Sequence, residues 1–357
     1  MKEATTMVVV GADVHKRTHT FVAVDEVGKQ LGTLTVSADG KGHEKALRWA
    51  HREFGAALTW GIEDCRHLSA RLEIDLLTAG ESVVRVPPKL MAQVRASART
   101  RGKSDPIDAL AVARAVLREP DLPVASHDED SRALKLLVDR REDLVAERIR
   151  MINRLRWHVH RLNPAKDPAP KALRSARNRE QLATWLGPLS GIDAEIAREV
   201  LADIEQITPK IDTLERRIEA IVTQLAPSLV SMPGCGPLTA AKIVGETAGV
   251  TRFRSEACFA QHAGVAPIPV WSGNTAGRVR MTRAGNRQLN AALHRIAVTQ
   301  IRVSDSLGKA HYDKRLAAGD SKTEALRCLK RRLARAVFRH LHTDQASHAR
   351  TCIPAAA

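Results

Sequence analysis

Asp13, Glu63, Asp105 and Asp108 are the residues of this 357-residue chain whose type and placement point most directly to chemistry. Asp13 sits near the end of the apolar run MVVVGADV, Glu63 closes ALTWGIE, and Asp105 and Asp108 flank the start of the helix-like stretch PIDALAVARAVL. On neighbouring strands Asp13 and Glu63 would meet, and a three-residue step lets Asp105 and Asp108 share a helix face. Carboxylates so gathered repel one another. Magnesium ions relieve that repulsion, and a pair of them activates a nucleophile and stabilises a leaving oxygen in phosphodiester displacement. Capping is the rival role for two of the four. Asp105 before Pro106 suits a helix N-cap, and Asp108 suits the positive end of the helix dipole. The order of all four along a suitable fold favours metal binding. His15 and His19 lie close to Asp13, but histidines near a strand end are commonly structural, and neither is assigned a role.

Just before the two aspartates, Lys89, Arg95, Arg99, Arg101 and Lys103 form a cationic run without an acidic residue. Such a run is either a solvated helix face or, beside a metal site, a grip on a phosphate backbone, and the second is favoured. In SMPGCGPLTAAKIVGE, Gly234 and Gly236 resemble a helix-hairpin-helix turn whose backbone N–H groups approach a phosphate ahead of a helix. A plain helical hairpin uses the same glycines. Further on, Ser272 lies in a glycine-flanked stretch followed by Arg278, Arg280, Arg283 and Arg287. A serine in such a loop is commonly a turn residue. The arginines add the means to bind a scissile phosphate and stabilise the charge that develops when a hydroxyl attacks it.

These residues need elements to position them. Residues 7–86 read as MVVVGADV, THTFVAVDE and KQLGTLTVS, a helix at 44–54, the strand ALTWGIE, a helix at 67–78 and a strand at 82–86. Three leading strands and then β–α alternation suit a ribonuclease-H-like sheet. Pro87 and Pro88 break the pattern, and helices are expected over 89–100 and 106–118. A long amphipathic helix should end at Leu162. After a proline-containing break, Ile204, Ile207, Ile211, Leu214, Ile218, Ile221 and Leu225 recur at steps of three and four, the spacing of a coiled-coil seam. An oligomer interface and an intramolecular helical hairpin both remain open for it. Thr208-Pro209 is either a kink or an N-cap followed by proline.

Length and charge frame the function. At 39.1 kDa the chain is too long for one ordinary core. Its formal net charge of +16 favours a polyanionic partner, nucleic acid first. Residues 271–341 carry sixteen Lys/Arg against four Asp/Glu, so the polyanion-facing surface is expected there. No stretch approaches the roughly 18 apolar residues of a membrane span, and MKEATT leads directly into a strand, which gives the expectation of a cytoplasmic protein without secretory signal or membrane. The five cysteines are scattered and form no CxxC pair, which argues against a disulfide framework or a zinc site.

Taken in order, Asp13, Glu63, KSDPIDA, the coiled-coil segment, MPGCGPLTAAKI, AGVAPIP, Ser272 with its following glycine, GNRQLNAALHRIA and HYDKRLAAGDSKTEALRCLKRRLAR resemble the DEDD transposases of the IS110 insertion-sequence family, described as bridge-RNA-guided recombinases. The resemblance covers nearly the whole chain. It implies a RuvC-like amino domain whose Asp13, Glu63, Asp105 and Asp108 bind Mg2+, and a carboxyl transposase domain with a nucleophilic serine, which falls on Ser272. It also implies a composite site shared between subunits, hence a homo-oligomer (dimer or tetramer), and a structured guide RNA that pairs with donor and target DNA. Where the family is usually basic right after the serine and glycine, this chain has Asn274, Thr275 and Ala276.

The expected architecture is α/β plus α: a RuvC-like domain at 1–125, a helical coiled-coil connector at 126–228, a mostly helical, serine-bearing transposase domain at 229–345, and a tail at 346–357. The expected activity is RNA-guided cleavage and exchange of DNA strands in a nucleoid-associated, cytoplasmic enzyme. Two rivals are a metal-only Holliday-junction resolvase-like nuclease, with Ser272 a turn residue, and a non-catalytic nucleic-acid-binding protein. Tyrosine chemistry is disfavoured, because the single tyrosine, Tyr312, sits in a charged, helix-like segment.

Overall fold

The computed structural model describes the chain apart from residues 1–6, 64–67, 88–89, 92–103, 120–121, 126–128, 170, 278, 282–284 and 352–357. Lys89, Arg95, Arg99, Arg101, Lys103, Arg278 and Arg283, with most of the helix expected over 89–100, lie outside the described residues. The chain divides into two compact units, Met1–Glu129 with Thr247–Thr343 and Asp130–Glu246 with Asp344–Ala357.

The amino segment is mixed α/β. Its elements run β1 (Val8–Val14), β2 (Thr18–Val24), β3 (Gln30–Ser37), α1 (Gly40–Phe54), β4 (Leu58–Glu63), α2 (Ala70–Thr78), β5 (Ser82–Val86) and α3 (Asp105–Arg118). The strands form one sheet of order β3-β2-β1-β4-β5, antiparallel across β3-β2-β1 and parallel across β1-β4-β5. This is the sheet expected from three leading strands and then β–α alternation. All seven residues of β1 are buried because helices cover both faces, so its sequence reads as a continuous apolar run rather than an alternation. On one face Val8, Val10, Ala12, Phe21, Trp60 and Ile62 pack with Ala46 and Ala50 of α1 and Leu72 and Leu76 of α2. Burying Phe21 or Trp60 contributes roughly 1.5–3 kcal/mol each, and their rings meet edge to face at 5.6 Å. On the other face Val9, Val22 and Val24 pack with Ala109 and Ala113 of α3.

That second face is unusually close. A Cβ on Gly11 would lie 2.2 Å from the Ala109 carbonyl oxygen and 2.4 Å from the Ala113 nitrogen, and one on Gly61 would lie 2.7 Å from a Val116 methyl. Glycine at these two positions lets α3 rest on the backbones of β1 and β4.

The second unit is helical. Helix α4 (Glu129–Leu162) is followed by two 3-10 turns, α5 (Ala176–Leu186), α6 (Ile192–Leu225), the short α7 (Pro227–Val230) and α8 (Pro237–Thr247). The Ile204, Ile207 and Ile211 seam is buried within the chain: Ile207 and Ile211 pack on Leu144, and Ile204 packs with Leu155 and Val159. An ion pair from Arg141 Nε to Glu215 at 2.8 Å and a hydrogen bond between His158 and Asp193 at 3.0 Å run alongside and fix α4 and α6 as antiparallel. Pro209 lies inside α6, so the N-cap alternative for Thr208-Pro209 falls. The Thr208 hydroxyl donates to the Ile204 carbonyl at 2.7 Å. Helix α8 approaches α4 at Gly245, where a Cβ would lie 2.9 Å from Lys135 Cα, and Lys135 Nζ donates to Glu246 at 2.7 Å. In the Gly234–Gly236 turn, Gly234 takes φ +81°, and the Gly236 carbonyl accepts from Thr239 and Ala240 as α8 begins.

The carboxyl segment contains α9 (Glu256–His262), a two-stranded hairpin of β6 (Pro267–Pro269) and β7 (Val279–Met281), then α10 (Arg287–Arg302), α11 (Leu307–Ala317) and α12 (Lys322–Thr351). Asn286 caps α10 by accepting from Gln288 and Leu289 amides at 2.9 Å. Asn290 donates to the carbonyls of Ala263 and Gly264 and accepts from Lys330 Nζ, tying α9, α10 and α12 together. No helix among the described residues is long and apolar enough to cross a membrane. The described cysteines Cys235, Cys258 and Cys328 are free thiols.

Candidate catalytic carboxylates and the serine hairpin

Parallel pairing of β1 with β4 aligns Gly11 with Gly61 and Ala12 with Ile62. One step further along each strand stand Asp13 and Glu63, at the carboxyl edge of the sheet. Both are two residues beyond a glycine that faces α3, so alternation turns both side chains to the α3 side. Helix α3 begins at that same edge. Ser104 occupies its N-cap position without a side-chain capping bond, so Asp105 is the first helical residue rather than the cap. Asp108, one turn on, is 8% exposed, and its amide donates to the Ser104 carbonyl at 3.0 Å.

The carboxylates meet at Asp13, which is 9% exposed. Burial pushes its carboxyl above the usual range, the neighbouring Asp108 and Asp105 charges add to the rise, and His15 opposes it. His15 is the residue that sequence reasoning passed over. Its Nε2 lies 3.1 Å from Asp13 Oδ2 and 3.4 Å from Asp105 Oδ1, so one imidazole bridges a strand end and a helix start. The signal was its two-residue step from Asp13 past a strand end, which acquires meaning once α3 folds back over β1. Donor atoms of Asp13, His15 and Asp105 lie within 4.8 Å of one another. Oxygen-rich donors at that separation fit a hard divalent cation, whose bonds run about 2.0–2.6 Å.

Ser272 stands on a different element. It is exposed in the connection of the β6–β7 hairpin, whose register pairs Pro267 with Met281, Ile268 with Arg280 and Pro269 with Val279. Prolines at both ends of β6 confine it to an edge pairing, since proline offers no N–H to a ladder. Gly273 and Gly277 take φ of +47° and +84°, which lets the connection turn tightly after the serine. Arg280 is exposed on β7, and Arg287 is exposed at the first turn of α10.

A mixed sheet of order β3-β2-β1-β4-β5 thus carries Asp13 and Glu63 at its carboxyl edge, in a chain that continues into a basic helical segment with a serine-bearing hairpin. Comparison with known proteins gives the class. Residues 10–164 match a transposase model of the DEDD, IS110 type, and residues 226–313 match a model for transposases of the IS116/IS110/IS902 family. The 44.8 kDa protein of insertion element IS116 from Streptomyces clavuligerus is 27% identical, over 90% of this chain and 92% of its own. The 42 kDa protein of insertion element IS900 from Mycobacterium paratuberculosis is 25% identical over 97% and 98%, respectively. A mini-circle putative transposase for IS117 from Streptomyces coelicolor is 27% identical over 97% and 96%. Among solved structures, Thermus thermophilus RuvC is similar to a third of this chain (33%) at 18% identity and a TM-score of 0.27, with 99% of that chain covered. The same protein in complex with a Holliday junction substrate gives 16% identity and 0.26 over the same shares. This chain belongs to the IS110/IS116 family of insertion-sequence transposases.

Proposed function

We propose that the protein is the RNA-guided DNA recombinase of its element, cutting and rejoining donor and target DNA through Ser272 as nucleophile and a magnesium site built from Asp13, Glu63, Asp105 and Asp108. The gathering of Asp13, Asp105 and Asp108 carboxylates at one strand edge carries the reading, because like charges are held this close where cations neutralise them. When bound, Mg2+ supplies charge neutralisation and activation of the attacking and leaving oxygens. Asp13 and Glu63 are fixed by the sheet, Asp105 and Asp108 by the first turn of α3, and His15 sets the angle of Asp13 and Asp105.

Ser272 Oγ forms a bond to phosphorus as the bond from phosphorus to the neighbouring sugar oxygen breaks, and that oxygen leaves with a proton. Attack by a hydroxyl of the exchanged strand reverses the step, frees the serine and conserves the bond energy, so no ATP is consumed. Arg278, Arg280, Arg283 and Arg287, with Lys89, Arg95, Arg99, Arg101 and Lys103 on the amino side, hold phosphates, and the Gly234–Gly236 turn presents backbone N–H groups to another. Functionally the chain divides into the RuvC-like part (1–125), a coiled-coil connector (126–228) in which α4 and α6 pair, the serine-bearing part (229–345) and a tail (346–357). A homo-oligomer, dimer or tetramer, brings the carboxylates of one subunit to the serine of another, and the complex works in the cytoplasm at the nucleoid.

The test uses Ser272→Ala, which removes a hydroxyl and little volume. Wild-type protein incubated with Mg2+, guide RNA and nicked substrate, then denatured, should retain DNA on the peptide containing Ser272. The variant should bind both nucleic acids within about twofold and form no covalent species. Cleavage that persists in Ser272→Ala without a protein–DNA link would establish the metal-only nuclease instead.

A further inference from the structure

A cavity of about 550 Å³ opens beside the β6–β7 hairpin, walled by that hairpin, α11 and α12. Six arginines line it: Arg280 from β7, Arg315 from α11, and Arg327, Arg331, Arg332 and Arg335 from α12. The four on α12 fall at steps of four, one and three, so one stripe of that helix points guanidinium groups inward. Two of the six are already engaged. Arg315 pairs with Asp320 at 2.6 Å, and Arg335 pairs with Glu256 at 2.8 Å. The other acidic wall residue, Glu324, accepts from the Ser321 hydroxyl at 2.6 Å and its amide at 3.0 Å.

Arg280, Arg327, Arg331 and Arg332 therefore form no ion pair among the described residues, and Arg331 Nη1 is buried without a hydrogen-bond partner among them. A buried guanidinium N–H without an acceptor is costly, and the same Arg331 side chain lines the cavity. His311, on the same wall, is held below its ordinary value by burial and then by Arg332, Arg315 and Lys314. Val265, Pro267 and Val279 add apolar surface to the same cavity. The volume exceeds that of one phosphate. Arginine forks suit phosphate oxygens, and an apolar wall suits the face of a base that has left its stack.

We propose that this cavity holds one unstacked nucleotide of a bound nucleic-acid strand, its phosphate on Arg327, Arg331 and Arg332 and its base against Val265, Pro267 and Val279. The proposal rests on the reading that the chain acts on nucleic acid and adds a subsite to it. Because β6 and β7 both line the cavity and their connection carries Ser272, the held nucleotide lies beside the strand presented to the serine.

The full chain is titrated by fluorescence anisotropy with a short labelled DNA strand, an RNA strand of the same sequence and the DNA duplex. Arg331→Gln should weaken single-strand binding about tenfold and duplex binding less than about threefold, as loss of one charge-assisted contact does. Arg332→Gln, at an exposed position where folding is not at risk, should repeat the pattern. Arg339→Gln, exposed on α12 and outside the cavity, should change all three by less than about twofold. Whichever strand shows the selective loss identifies the source of the nucleotide as DNA or RNA. Equal losses on strand and duplex, equal losses in Arg339→Gln, or displacement of the strand by free nucleoside monophosphate at equal strength would overturn the cavity while leaving the recombinase reading intact. Wild-type protein that binds none of the three probes would overturn both.

Discussion

Asp13 carries an electrostatic cost that His15 offsets only in part. Its folded carboxyl titrates above the unfolded value, through burial and then through Asp108 and Asp105 against the pull of His15, so the folded state holds the proton more tightly. The destabilisation is absent below the unfolded value, grows as pH rises through the window between the two, and persists above it. Asp13→Asn should thus raise Tm at pH 7 in the absence of divalent cations, with the gain disappearing below about pH 4. Strand cleavage should fall by on the order of 10³-fold. Thermal melts with and without Mg2+ check both halves, because the cation should raise the wild-type Tm more than the variant's. A variant that melts lower than wild type at pH 7 would mean that the His15 contact outweighs burial and repulsion together. That Asp13, Glu63, Asp105 and Asp108 stand at or near the ends of elements was legible in the sequence. His15 was not, because its partner Asp105 reaches it through tertiary packing of α3, which leaves no mark on local spacing.

Helix α3 owes its position to two missing side chains. A methyl at Gly11 would have to displace the Ala109 carbonyl from 2.2 Å, and backbone cannot give way as a flexible side chain does. Gly11→Ala should cost about 1–3 kcal/mol in urea unfolding, the range for overpacked cores, and lift the helix that supplies Asp105 and Asp108. Activity should fall further than stability explains, measured as cleavage at a temperature where the variant is still fully folded. Cleavage unchanged in a destabilised Gly11→Ala would show that the carboxylates tolerate a displaced α3. Glycine inside a buried strand signals close approach, but which element approaches is not encoded locally. The same limit applies to α6: steps of three and four marked the buried face of Ile204, Ile207 and Ile211 but not whether another subunit or α4 covers it. Pro209 misleads in the opposite way, since a helix already held by packing on both sides of the proline continues through it. The hairpin around Ser272 left a weaker signal still, because strands of three residues with prolines at both ends of one fall below what alternation can reveal.

Across the whole molecule the charge is distributed unevenly, and the unevenness sets how it should meet its substrate. Of a net +16, residues 271–341 hold sixteen Lys/Arg against four Asp/Glu, and within that span Arg280, Arg327, Arg331 and Arg332 have no ion-pair partner among the described residues. Each phosphate neutralised releases condensed counterions, so log K should fall linearly with log salt at a slope near −0.9 per contact on duplex DNA. If six to ten phosphates are held, affinity should drop by about 10³–10⁵-fold between 50 and 200 mM salt. Neutralising Arg278 and Arg280 together should flatten the slope by about two and weaken specific and non-specific duplexes alike, because contacts to phosphate carry no sequence information. Anisotropy titrations of both duplexes across that salt range check the slope and its change. A slope near zero, or a double variant that loses one sequence and keeps the other, would place the arginines at base edges and move the polyanion surface elsewhere on the chain.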